Sequence, residues 1–200
     1  MRKTLFLLVF LTACNHFDRD RNSSSELRAM KKNYYAYLDK TCFSDEYYDG
    51  LRNTFQYTAC LLDNKVLDMQ LDMNRLAFLW SDEEYYDQQV ELDKSKSKET
   101  VVFLSFYSPD RKLIDLDQKS TAWKVYLLNG EKRYKASSII KMPNKYEYVK
   151  NLYPQHSHWG VAYHVKFEKS MEDLERDNLK FIITSREGYS KMEIPIGSLD

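Results

Sequence analysis

The chain has 200 residues with 30 basic and 30 acidic side chains, so it carries no formal net charge. That balance leaves no basic excess for neutralising phosphates, which argues against nucleic-acid binding as the main role. Its 5 glycines are isolated from one another, which excludes the clustered glycines of a phosphate-cradling loop.

At the start, Arg2 and Lys3 form a short positive segment, and Thr4 to Ala13 follows as an almost unbroken apolar run. A membrane-crossing helix needs roughly twenty such residues, so this shorter run reads as the apolar region of an export signal over residues 1–13. It ends in Leu11-Thr12-Ala13-Cys14, which resembles the lipobox of bacterial lipoproteins. The resemblance implies diacylglyceryl transfer to the Cys14 thiol, cleavage before Cys14 and acylation of the new amino group. Acyl chains at one residue satisfy the two-signal requirement for stable anchoring, so the partner implied is a lipid bilayer. Asn15 and His16 follow the cysteine where an aspartate would favour inner-membrane retention, so the resemblance points to the outer membrane, facing the periplasm or the cell surface. Without the lipobox, the same run reads as an ordinary secretory signal.

Loss of Arg2 and Lys3 with the signal leaves 28 basic against 30 acidic residues. Residues 14–25 are polar without a hydrophobic period and read as a flexible tether. Ser23-x-x-Glu26 has the form of a capping box, and Leu27, Met30 and Tyr34 to Leu38 follow at helical spacing, predicting a helix over 24–39. Cys42 and Cys60 are an even pair in an oxidising compartment, which favours a disulfide over two buried thiols.

Leu51 to Leu61 suits either a strand or a helix, and its threonines and aromatics favour the strand. Val66, Met69, Met73, Leu76 and Trp80 form a helical stripe, with the methionines as core filler. Ser81-x-x-Glu84 is a second capping box, predicting a short helix through Val90, and residues 93–99 read as a charged loop. From residue 100 the pattern turns to strands: 101–107, a hairpin of 123–128 and 133–140 around Asn129-Gly130, then 161–167, 179–184 and 192–196. Tyr146, Val149 and Tyr153 predict a short helix before Pro154. On the strand at 161–167, Val161, Tyr163, Val165 and Phe167 share one face, leaving Ala162, His164 and Lys166 on the face assigned to solvent.

These elements predict a mainly β (α+β) protein: an antiparallel, immunoglobulin-like β-sandwich over 100–200, preceded by and packed with a helical region at 26–99. The second half loosely resembles the β-rich domains of uncharacterised envelope lipoproteins in Leu152-Tyr153-Pro154, Trp159 and Tyr163, a likeness that brings no function with it.

Chemical motifs are sparse. His156 and His158 share a loop with His164 nearby, the weak candidates for a metal, but no cysteine or acidic motif joins them, and they read as surface histidines. Asp115 and Asp117 lack the spacing of a calcium loop and read as a solvated turn. No Ser-x-Gly elbow or HExxH helix is present, so no catalytic residue and no cofactor is assigned. Many tyrosines (16) suit strand packing first, and a sugar- or peptide-binding surface second. The reading is a non-catalytic module contacting another envelope protein or a polysaccharide. Its alternative is an envelope hydrolase whose paired acids meet only in the fold.

Overall fold

A computed structural model describes residues 14–143, 145–174 and 178–195. The signal segment, with Leu11, Thr12 and Ala13, lies outside these residues. The described chain contains four helices and nine strands, the strands forming two antiparallel sheets.

Helix α1 (Cys14–Leu38) takes in the segment expected as a flexible tether, so Ser23 lies inside it and is not its cap. Strand β1 (Cys42–Asp49) and strand β2 (Arg52–Leu62) form a hairpin closed by Gly50-Leu51, with Gly50 at φ +61°. Glycine takes that left-handed conformation at no steric cost. A disulfide joins Cys42 to Cys60, which stand opposite each other across this ladder. Helix α2 (Asn64–Phe78) is capped by Asp63, whose carboxylate accepts from the Val66 N–H. Helix α3 (Asp82–Lys96) opens on the reciprocal Ser81–Glu84 capping box and extends through most of the expected charged loop.

Strand β3 (Thr100–Tyr107) lies beside β2 in the five-stranded sheet, whose order is completed by β7 (Val161–Phe167) and β6 (Ser138–Lys141) as β1-β2-β3-β7-β6. The second sheet runs β5-β4-β8-β9, with β4 (Lys124–Asn129), β5 (Lys132–Lys135), β8 (Leu179–Thr184) and β9 (Tyr189–Glu193). The β4–β5 hairpin turns at Gly130-Glu131, with Gly130 at φ +57°. Its expected second arm is two strands, because Ala136 donates to Val125 of one sheet and Ser137 donates to Lys166 of the other. The chain thus changes sheets within one peptide step. The last strand is shifted several residues toward the N-terminus from the expected 192–196.

Between the sheets lies a core of Phe55, Tyr57, Leu104, Phe106, Tyr163 and Val165 from one side and Val125, Leu127, Phe181 and Ile183 from the other. Trp123 fills its centre, with its ring edge-on to Phe55 and to Phe106 at 5.0 Å and its indole N–H donating to the Leu113 carbonyl. At one seam, Tyr57 and Asp45 meet through Ser190: the Ser190 hydroxyl donates to the Asp45 carboxylate at 2.6 Å and bonds the Tyr57 hydroxyl at 2.8 Å. Burial pushes the Tyr57 phenol far above its usual range, so it stays neutral.

A second apolar layer covers the other face of the five-stranded sheet. Tyr34, Tyr37 and Leu38 of α1, Val66 and Met73 of α2, and Val149 and Tyr153 of the short helix α4 (Tyr146–Leu152) pack over Cys60, Leu62, Phe103 and Ala162. The helices therefore sit against one face, and β3 is buried from both sides. This explains its continuous apolar run, since alternation survives only where one face meets water. No helix among the described residues is long and apolar enough to cross a membrane.

Candidate functional site

Side chains alternate across a strand, so the face of β1, β2 and β3 turned away from the second sheet carries Cys42, Ser44 and Glu46, then Gln56, Thr58 and Cys60, then Phe103, Ser105 and Tyr107. The helices cover only its apolar end. There a buried polar chain links the layers: Gln70 of α2 donates to the Tyr34 hydroxyl at 2.7 Å and to the Tyr153 hydroxyl at 3.3 Å, and Tyr153 bonds His164 Nε2 at 2.9 Å. The Tyr34 hydroxyl in turn donates to the Leu152 carbonyl. Burial, with a smaller contribution from Lys166, lowers the His164 pKa to about 4 and keeps the ring neutral. His164 is thus half-buried beneath the helices, and its face is a packed interface instead of the expected solvent face.

The polar end of the same face is open. A groove of about 400 Å³ crosses it, lined by Ser44, Asp45, Glu46, Gln56, Tyr57, Thr58, Ser105, Tyr107 and Ser157. Strand register arranges its floor in two rows: Ser44 stands opposite Thr58 and Thr58 opposite Ser105, while Glu46 stands opposite Gln56 and Gln56 opposite Tyr107. No lysine or arginine is among the lining residues.

Ser105 joins the groove to the loop that follows α4. Its hydroxyl lies 2.8 Å from His156 Nδ1 and accepts from the Ser157 N–H at 3.2 Å. Gly160 lies against the same oxygen, where an added Cβ would come within 2.6 Å, so the loop can approach this closely only without a side chain there. His156 is 5 % exposed. Burial, then the neighbouring Lys150 and His158, lowers its pKa to about 4. Lys150 also ties the loop by donating to the carbonyls of Pro154 and His156.

A serine beside a neutral imidazole is the first half of a nucleophilic dyad. Acyl transfer also needs a third group to orient the base and a reachable hydroxyl. Among the described residues no carboxylate bonds His156, and Ser105 is 2 % exposed. The pair is a satisfied polar clasp between β3 and the loop. Sequence reading missed it because 51 residues separate the partners.

His156 is therefore not a surface histidine. His158 lies edge-on to the Tyr146 and Trp159 rings at 4.8 and 5.3 Å, while His164 is engaged by Tyr153. Among the described residues no three His, Cys, Asp or Glu side chains are grouped to hold a metal. Asp115 accepts from the Thr121 hydroxyl and, through its carbonyl, from the Gln118 N–H, the contacts of a local turn. Asp45 and Glu46 are the acids at the groove, but as strand neighbours they project to opposite faces, and Asp45 is held by Ser190 on the core side.

The chain matches no protein-family model, no curated protein and no solved structure. Function must be argued from the site itself. Of the groove, sequence reading identified no residue. The Asp49-Gly50 dipeptide is a hairpin signal that would have found β1 and with it Ser44 and Glu46.

Proposed function

We propose that this protein is a membrane-anchored bacterial envelope lipoprotein whose folded part is a non-catalytic binding module. Acyl chains on Cys14 would hold it at the outer membrane, and the groove on the open end of the five-stranded sheet would engage its ligand. The observation that carries the binding role is the groove floor. The side chains of Ser44, Gln56, Thr58 and Tyr107 line it, and among the described residues none of them has a hydrogen-bond partner, so their donors and acceptors face the groove. Against the hydrolase reading stands the divergence of Asp45 and Glu46, which cannot flank one scissile bond as a glycosidase pair must.

Helix α1 running from Cys14 supports a spacer in which anchor and domain are joined by a stiff element. Residues 14–25 would add about 17 Å of rise at ~1.5 Å per residue. We also read the sandwich as immunoglobulin-like. Its support is the order β2-β3-β7-β6 facing β5-β4-β8-β9, which corresponds to strands A-B-E-D and C′-C-F-G, with β1 as an added edge strand and Trp123 at the start of the C strand.

The test grows cells expressing the full chain with labelled palmitate, then separates inner and outer membranes. Label should enter the protein, be lost in Cys14→Ser, and travel with the outer membrane. An unlabelled, freely soluble product would overturn the anchoring. Turnover of an envelope polymer by the purified full chain, abolished by Glu46→Gln, would overturn the non-catalytic role.

A further inference from the structure

The two cross-strand rows of the groove carry chemistry beyond a generic binding surface. We infer that the groove binds a short neutral oligosaccharide, laid across β1, β2 and β3; this rests on reading the domain as a binding module. One row offers the hydroxyls of Ser44 and Thr58 and ends at Ser105, and the other offers the Glu46 carboxylate, the Gln56 amide and the Tyr107 phenol. Neighbouring strands lie ~4.8 Å apart, close to the length of one pyranose unit, so consecutive sugars meet consecutive strands. A sugar hydroxyl both donates and accepts. It therefore pairs with hydroxyl, amide and carboxylate groups alike, whereas a row of fixed donors would select an anion.

Charge narrows the class further. With the Glu46 carboxylate on the floor and no lysine or arginine among the lining residues, a uronate, sulfated or phosphorylated chain would meet negative charge with no cation to offset it. Aromatic rings border the floor where the apolar faces of sugar rings need them. Tyr107 lines it, and Tyr48, 47 % exposed, donates to Glu46 at 3.2 Å. Trp159, 62 % exposed, lies two residues along the clasped loop from Ser157. Such rings supply flat apolar area while keeping a polar edge in water. The volume falls within the ~300–1,000 Å³ range of small-ligand sites. An extended peptide adding to this sheet would pair with the free backbone along the β1 edge, whereas the groove floor crosses three strands and presents side chains.

The experiment titrates the full-length protein, in a non-glycosidic detergent, with tetrasaccharides of glucose and of N-acetylglucosamine. A galacturonate tetramer and an uncharged hexapeptide serve as comparisons. Amide resonances of residues 56–58 and 105–107 should move with a neutral tetrasaccharide and stay still with galacturonate. Gln56→Ala and Tyr107→Ala should each weaken binding about tenfold or more, with unchanged circular dichroism and an unchanged thermal midpoint. The inference is overturned if no neutral saccharide binds, if the hexapeptide or galacturonate binds instead, or if both variants bind as well as the natural sequence. A benzophenone side chain at position 58, activated in cells, separates the two readings. Capture of a protein with no saccharide binding would sink the saccharide and leave the binding module standing. Absence of both, together with substrate turnover, would sink both.

Discussion

Acidification from pH 7 to pH 5 should destabilise this protein through two histidines that burial holds neutral. His164 and His156 each have a folded pKa of about 4 against an ordinary value of 6.5. The folded pKa lies below the unfolded one, so between these values the unfolded chain binds more protons and stability falls as pH falls. One shifted unit corresponds to ~1.4 kcal/mol. Across pH 7 to 5 a fully buried ring loses about 2 kcal/mol, the value that fits His156 at 5 % exposure, while half-buried His164 is discounted for solvent screening to about 1 kcal/mol. The total of about 3 kcal/mol is a large part of a typical 5–15 kcal/mol domain stability. At a slope of ~1–3 kcal/mol per molar, the urea midpoint should drop by about 1–3 M. Partial burial raises the carboxyl of half-buried Glu99, but its bonds from Lys166 and Ser95 outweigh this and hold it below the usual range, so it titrates below this window. Urea unfolding at both pH values, compared with His156→Asn/His164→Gln, checks the reasoning. These replacements keep a polar partner for Ser105 and Tyr153 but cannot titrate. A double variant that loses as much stability as the natural sequence would refute the assignment.

Reduction of the Cys42–Cys60 bridge, or Cys42→Ala/Cys60→Ala, should cost about 3 kcal/mol for a loop closed over a separation of 18 residues, read as a lower urea midpoint with and without reductant. Trp123→Ala should cost about 3–5 kcal/mol, because it empties the space between Phe55 and Phe106 and strips the Leu113 carbonyl of its donor; thermal unfolding measures it. Ser81→Ala should cost ~1 kcal/mol of helix stability. Because α3 buries no residue, this loss should show as faster amide exchange over α3, with little change in the global midpoint. An equal loss of protection throughout the core would contradict that.

Legibility in the sequence followed the range of the forces involved. The Ser81–Glu84 box, the stripe of α2 and the run of β3 were readable because caps, helical periods and buried strands are written within a few residues of chain. The hairpin at Gly130 was readable too, displaced by one residue from Asn129-Gly130. Strand β1 was missed because Cys42–Asp49 mixes aromatic and acidic residues, and its inward Asp45 is tolerable only beside Ser190, 145 residues away. The 133–140 segment was read as one strand because nothing local marks a change of sheet. That change is made by two backbone bonds to different partners, Val125 and Lys166.

By itself, the sequence determined the alternation of helical and extended segments, an antiparallel β-rich second half and the polar spacing that places caps and turns, since these depend on neighbours along the chain. Tertiary structure alone decided which half of the five-stranded sheet is capped by helices and which stays open. It also decided that Ser44, Thr58 and Ser105 form one row, that His164 lies beneath the helices, and that His156 closes on Ser105. Each of these depends on strand register and on packing between segments tens of residues apart, and a one-residue slip in register would send every one of those side chains to the opposite face.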